Sequence, residues 1–304
     1  MELPRIYLSL QVEKNGSYCL RSGNWGVTFM LTPSHNQQLI RQGRIEQALH
    51  QVDIEHEFSL VFQPVIDLRS RRTVAFEALA RWSSLELGDV PPSQFIPIAE
   101  RIGLINRLTT HLLGKALTIA ADWPPHISLS FNLSTHDCAS DEVAEQIVSI
   151  IQGSNFDPRR LDLEITETAI MQDVVQVQHS IDRFCRLGCG VALDDFGTGY
   201  SSLSQLLSLA FTKIKIDRAF VIGIDENPVS YKIVKSLVAL SRDMQLECIV
   251  EGVETREELE ALISLGCFFV QGYYFARPMH HSDINGWLKK NSMAGGVSEV
   301  SIKR

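Results

Sequence analysis

Long apolar runs are missing from this 304-residue chain. No stretch reaches the ~20 residues needed to cross a bilayer, and residues 1–20 lack a basic start followed by a long apolar core. Membrane contact by this chain is therefore not expected. A basic stripe is also lacking, and the net charge of −8 argues against a surface for DNA. An acidic protein binds a phosphate anion only where a metal or a few cations reverse the local field. Six cysteines (Cys19, Cys138, Cys185, Cys189, Cys248, Cys267) show no paired CxxC spacing and sit mostly among apolar neighbours. That pattern reads as reduced core thiols of a cytosolic protein rather than disulfides or zinc ligands. Of nine histidines only His280 and His281 are adjacent, and no HExxH occurs, which argues against a histidine-built metal site. Internal repeats and low-complexity runs are absent.

What remains is ordinary in composition, 45% hydrophobic and 21% charged, and long enough for one large α/β domain with an appendage, or for two domains. Residues 1–32 alternate apolar and polar around an Asn-Gly turn, which predicts a small β-hairpin or meander. It cannot bury a core alone and must pack on the main body or on a partner. NQQLIRQGRIEQALHQV (36–52) has helical spacing. It reads either as a connector or as a signalling helix of a larger parent. From about residue 56 strands alternate with helices. FSLVFQPVIDL and TVAFEALARW are joined only by RSRR, too short for a crossover helix, so this pair should be antiparallel. SQFIPIAERIGLINRLTTHLLGKALTIA is expected to be helical, and later strands each come after a helix, which makes them parallel. TREELEALISLG is bounded by a capping box from Thr255 to Glu258 and by Gly266. About eight such units close into a (β/α)8 TIM-like barrel. The expected division is 1–43 for the hairpin and connector helix, 44–290 for the barrel, and 291–304 for a loose tail.

Seven apolar stretches end in an acid, an amide or a lysine: FEALAR, SFNLS, LEITE, ALDDFGTG, KIKID, IVEGVE and FVQGYYF. Polar residues at the C-terminal ends of barrel strands meet at one rim. Glu77, Glu164, Asp194, Asp195 and Glu251, with the amide of Asn132, form such a set. Carboxylates gathered in an apolar-walled pocket stay ionised only if cations neutralise them, and all-oxygen donors select Mg²⁺ or Mn²⁺. One acid after a strand usually caps a helix or a turn; five in register are poorly explained that way. The adjacent aspartates of DDFGTGYSS suit two metals clamping a phosphoryl group, and equally an Asx-turn. Lys215 is costly to bury without partners and belongs near the acids, whereas Lys213 reads as solvent-exposed. Arg81 can grip a phosphate with both guanidinium nitrogens. Gln271 could position a water or phosphate oxygen or act one layer back. Of Tyr273, Tyr274 and Phe275, one could stack on a base. Glu167 and Glu254 read as loop-fixing groups or as helix N-terminal acids.

FQPVIDL, EALARW, FIPIAERIGLI, FNLS, LEITET, LDDFGTGYSSL, KIKIDRAFV, IVEGVET and GCFFVQGYYFARP together resemble the EAL-domain cyclic di-GMP phosphodiesterases of bacteria. The resemblance covers roughly 44–290 and implies a modified (β/α)8 barrel with one antiparallel strand. It implies hydrolysis of cyclic di-GMP to linear pGpG with two Mg²⁺ or Mn²⁺ ions. Glu77, Asn132, Glu164 and Asp194 correspond to ligands of one metal, Asp195 to the residue nearest the second, and Glu251 also lines the site. Lys215 corresponds to the lysine that holds the attacking water and Glu251 to the acid often taken as general base. Gln63, Leu79, Arg81 and Gln271 fall at substrate-binding positions, Glu167 at the glutamate that steadies the DFGTG loop, and Glu254 at the second acid of EGVE. The resemblance further implies a cytoplasmic signalling enzyme that can dimerise through the region around Ser201–Leu209. No expected acid is missing, which favours an active enzyme over a receptor that binds cyclic di-GMP without turnover.

Overall fold

The antiparallel pairing forced by the short RSRR turn is where the barrel closes. In the computed structural model, β4 (Phe58–Asp67) runs antiparallel to β5 (Arg72–Ser84) from Phe58↔Trp82 to Asp67↔Arg72. The structure describes residues 8–12, 18–22, 28–31, 33–167, 173–197 and 209–293. Ahead of the barrel, β1 (Leu8–Val12), β2 (Tyr18–Ser22) and β3 (Thr28–Leu31) form an antiparallel meander, succeeded by helix Pro33–His50. A short strand β6 (Gly88–Val90) folds back on the end of β5. Parallel strands then come in order: β7 (Ser128–Leu133), β8 (Leu161–Thr166), β9 (Gly190–Phe196), β10 (Lys213–Ile216), β11 (Glu247–Val250) and β12 (Phe269–Val270). β12 returns to β4 in antiparallel register, Val270↔Ile66, and closes the ring. β4 is thus antiparallel to both neighbours, and every other junction of the ring is parallel. A two-residue β13 (Met279–His280) pairs with the other end of β4.

The two-residue period of each strand divides the molecule. In β8, Leu161, Leu163 and Ile165 are fully buried in the apolar layer shared with the surrounding helices, while Asp162 and Glu164 alternate with them and face the barrel interior. Helices Asp141–Gly153, Val174–Leu187 and Pro228–Asp243 cover that layer with Ile147, Ile181 and Val234. Helix Arg256–Ser264 starts with the expected capping box, Glu258 N donating to Thr255 Oγ1 at 3.1 Å.

Three expectations are modified. The helical stretch from Ser93 to Ala120 is two helices, Pro92–Arg101 and Ile105–Ala120, because Gly103 turns left-handed (φ +73°) between them. The last strand stops at Val270, since Gln271 O accepts from Val253 N and Tyr274 N donates to Val253 O, while Gly272 O turns back to accept from Phe275 N and Ala276 N instead of continuing a ladder. Residues 291–293 complete helix His281–Met293, and the chain beyond Met293 lies outside the described residues. Most of SSLSQLLSLA, the expected dimer region, also lies outside them, from Ser201 to Ser208. No helix among the described residues is long and apolar enough to cross a membrane.

Lys213 corrects a fourth expectation. Its side chain is 21% exposed and points into the barrel's N-terminal end, with Nζ 3.0 Å from Asp162 Oδ2 and 2.7 Å from Glu247 Oε1. Two residues before Lys215, it shares that lysine's inward face. Gly190 lies against this trio, and a Cβ there would overlap Asp162 Oδ1, part of the carboxylate that Lys213 holds through Oδ2. Gly190→Ala is therefore expected to cost about 1–3 kcal/mol of stability by overpacking, read as a lowered urea midpoint at unchanged m-value; an unchanged midpoint would show that the trio yields.

Candidate functional site

Each strand of the closed ring delivers one polar side chain to the same mouth. In order around the barrel these are Gln63 (β4), Glu77 (β5), Asn132 (β7), Glu164 (β8), Asp194 (β9), Lys215 (β10), and Glu251 and Gln271 immediately after β11 and β12. Two neighbouring pairs are level across the ladders, Gln63 with Glu77 and Asn132 with Glu164, whereas Asn132 and Asp194 each stand two residues beyond Ser130 and Ala192, the partners of Glu77 and Glu164.

Lys215 Nζ is the meeting point. It lies 2.6 Å from Glu164 Oε2, 2.5 Å from Glu251 Oε1, 3.4 Å from Asp194 Oδ1 and 3.6 Å from Glu77 Oε1, with 1% of its side chain exposed. Burial alone would push its charge off, but Asp194, Glu164, Glu251 and Glu77 together hold its pKa well above the usual lysine value. Glu77 is fixed from both sides: Asn132 Nδ2 donates to Oε1 at 2.7 Å, and Gln271 Nε2 donates to Oε2 at 2.7 Å. Gln271 Nε2 also reaches Gln63 Oε1 at 3.2 Å, and Gln63 Nε2 donates to the Ala276 carbonyl at 3.1 Å. Burial raises the pKa of Glu77, yet Lys215 and the two amide donors outweigh it and leave it below the ordinary value.

For Glu164, Glu251 and Asp195, burial outweighs the pull of Lys215. Burial, then the like charges around it, drives Glu164 well up despite Lys215. Burial raises Glu251 to about 8, with Asp194 and Glu77 adding to the shift. Asp195 rises to about 6 through burial and then the charge of Asp194. A single ammonium faces the carboxylates of Glu77, Glu164, Asp194 and Glu251, so the cluster holds protons that isolated acids would release.

The adjacent aspartates share the rim because β9 is bulged. Ile214 pairs with Leu193 but Ile216 with Phe196, so β9 carries one extra residue at Asp194–Asp195. Asp195 takes up the excess in a left-handed conformation, φ +54°. Just beyond, Gly197 N donates to Oε2 of the buried Glu167 at 3.3 Å. Glu254 lies outside the ring and pairs with Arg218 at 2.8 Å. Arg81 is half-buried and donates to the Ala80 carbonyl at 2.8 Å. A cavity of about 380 Å³ opens beside Glu77 and Asn132, walled by Leu79, Arg81, Phe95 and Ile96. Tyr273 is exposed, with the Arg277 guanidinium 4.4 Å over its ring, while Phe275 is core. Asp162 and Glu247 are absent from the set expected from the sequence. The signal was their two-residue spacing from Glu164 and Ile249, which puts them on the inward face.

Among the described residues no three acids, histidines or cysteines form a ready ligand cage, the shared centre being taken by Lys215 Nζ. The donor chemistry nevertheless fits hard cations. Asp194 Oδ1 and Glu251 Oε1 are buried oxygens that accept no well-directed hydrogen bond among the described residues, and the ring is all oxygen apart from Lys215 and the amide nitrogens.

A family model described as EAL domain matches residues 43–278. The chain is 35% identical over 263 residues to the cyclic di-GMP phosphodiesterase RocR of Pseudomonas aeruginosa, covering 83% of this chain and 67% of RocR. It is 33% identical over 276 residues to the cyclic di-GMP phosphodiesterase PdeR of Escherichia coli, covering 90% of this chain and 42% of PdeR. Among solved structures, that of the PaMucR phosphodiesterase in complex with c-di-GMP superposes with a TM-score of 0.75 at 31% identity, covering 79% of this chain and 99% of that one. The chain spans about a third of the length of several curated relatives, 36% for the oxygen sensor protein DosP of Escherichia coli.

A carboxyl that holds its proton more tightly when folded stabilises the fold fully below its unfolded pKa and loses that contribution as pH rises through its folded one. In EDTA the urea midpoint is expected to fall as pH rises from 4.5 to about 8, the window of Glu251. Asp195 adds to the fall between 3.8 and about 6. Added Mg²⁺ should restore the midpoint at the alkaline end. A midpoint that rises across the window would contradict this charge balance.

Proposed function

The chain belongs to the EAL domain family, and on that premise we propose that it is a metal-dependent phosphodiesterase opening cyclic di-GMP to linear pGpG. The observation that carries this reading is Lys215 Nζ, within 3.6 Å of carboxylates from four other parts of the ring. Such a concentration of acid is costly unless cations join it, and a phosphodiester is a substrate that brings none.

In this reading Glu77, Asn132, Glu164, Asp194, Asp195 and Glu251 hold two Mg²⁺ or Mn²⁺ ions. When bound, the ions neutralise the phosphodiester, acidify a water and stabilise the leaving alkoxide. Lys215, kept as an ammonium by the surrounding carboxylates, would orient a water beside Glu251, and Glu251 would take that water's proton. The 2.5 Å approach of Lys215 Nζ to Glu251 Oε1 sets the ammonium against the carboxylate that would act as base. Gln271 and Asn132 keep Glu77 from rotating out of the ring, so its charge stays where the metal needs it. Gln63, Leu79, Arg81 and Gln271 line the substrate's path, Arg81 offering the guanidinium that a phosphate accepts. Glu167 and Glu254 fix loops at the rim. The enzyme works in the cytoplasm, with its barrel signalling domain at about 44–290.

Purified protein with Mg²⁺ or Mn²⁺ should convert cyclic di-GMP to pGpG, tracked chromatographically, and EDTA should stop it. Glu77→Ala is expected to lower kcat at least ~100-fold, about 2.7 kcal/mol of lost transition-state stabilisation. Tight binding of cyclic di-GMP without product from the wild-type chain would replace the enzyme by a receptor. Equal turnover of simple diesters would broaden the substrate class.

A further inference from the structure

Glu258 stands outside the ring of site residues, at the start of helix Arg256–Ser264, yet it is 5% exposed and gathers three backbone donors. Oε2 accepts from Glu254 N at 2.8 Å and Thr255 N at 3.1 Å, while Oε1 accepts from Gly223 N at 3.1 Å. The Thr255 bond belongs to an ordinary capping box. The Gly223 bond does not, because it leaves the helix for the segment after β10, the strand of Lys215.

What Glu258 joins is the support of Lys215 and Glu251. Glu251 opens the loop that ends at Glu254 and Thr255, and Glu251 N is tied to Ile216 O at 3.0 Å. Arg218, on the other segment, crosses so close to Gly252 that a Cβ there would overlap its side chain. The same loop is laced onward, Val253 N to Gln271 O at 3.1 Å and Tyr274 N to Val253 O at 3.0 Å. Gly272 is required there, as a Cβ would run into the Val253 backbone. Three segments, carrying Lys215, Glu251 and Gln271, are thereby stitched together, and Glu258 is the buried side chain that spans two of them.

We propose that Glu258 is a positioning residue: its carboxylate clamps the loop after β11 to the segment after β10 and so sets the approach of Glu251 to Lys215. The inference rests on the phosphodiesterase function proposed for this site. Glu258→Gln keeps the size of the side chain but replaces an accepting oxygen by an NH₂ that opposes a backbone N–H. Thr255→Ala removes the helix cap's hydroxyl and leaves the clamp intact. With the wild-type enzyme turning over cyclic di-GMP, Glu258→Gln should lower kcat at least ~10-fold with KM within ~3-fold, while Thr255→Ala lowers the Tm yet keeps kcat within ~2-fold of wild type. Hydrogen exchange should quicken at 223 and 254 in Glu258→Gln alone, a readout independent of turnover. Equal losses of kcat in the two variants, or a folded Glu258→Gln with wild-type kcat and unchanged exchange, would overturn the proposal. A wild-type chain without turnover defeats the functional reading instead, and the exchange at 223 and 254 then decides the clamp by itself.

Discussion

The ammonium of Lys215 is held in the barrel mouth by the carboxylates of Glu77, Glu164, Asp194 and Glu251, and none of these groups is tolerable there alone. Burying one unpaired charge costs several kcal/mol, a sizeable share of a domain's whole stability. Pairing removes only part of that cost, because one cation faces several acids. The balance is made up by proton retention on Glu164 and Glu251, and divalent cations are the stronger remedy. The site is thus electrostatically unfinished in its own right, which is the condition for binding a hard cation tightly.

That arrangement needs a closed ring. In an open sheet, residues from β5 and β10 would stand several strands apart. Here β4 lies between β5 and β12, antiparallel to both, and brings Gln63 and Gln271 against Glu77. The reversed strand and the long β5 contribute from the middle of their length, whereas β7 to β12 contribute from or just beyond their C-terminal halves. At the opposite end, Lys213, Asp162 and Glu247 form a smaller, more nearly balanced set. Two charged layers share one barrel, and the one with surplus acid is the one that borders the cavity lined by Glu77 and Asn132.

Local irregularities do the fine placement. A regular β9 would send Asp194 and Asp195 to opposite faces; the bulge and the left-handed Asp195 bring both to the rim. Gly272 is demanded by the close passage of the Val253 backbone rather than by a turn. Gly103 splits one helical stretch in two, so that helix Ile105–Ala120 can set off in a new direction.

The amino-acid order alone determined the alternation of strand and helix, the antiparallel first pair, and the acids that end the strands. Each is a local property: hydrophobic period, linker length, and residue type at a fixed step from an apolar run. Glu77, Asn132, Glu164, Asp194, Lys215 and Glu251 could be named on that basis as one set. Tertiary structure decided what depends on distance across the barrel. It put Lys213 among acids instead of in solvent, because inward direction comes from register with β9 and β11. It ended β12 at Val270, because Val253 captured the backbone donors and acceptors beyond it. It also turned Glu258 from a helix cap into a bridge to Gly223. A sequence records which groups can pair; only the closed barrel chooses among partners that lie dozens of residues apart.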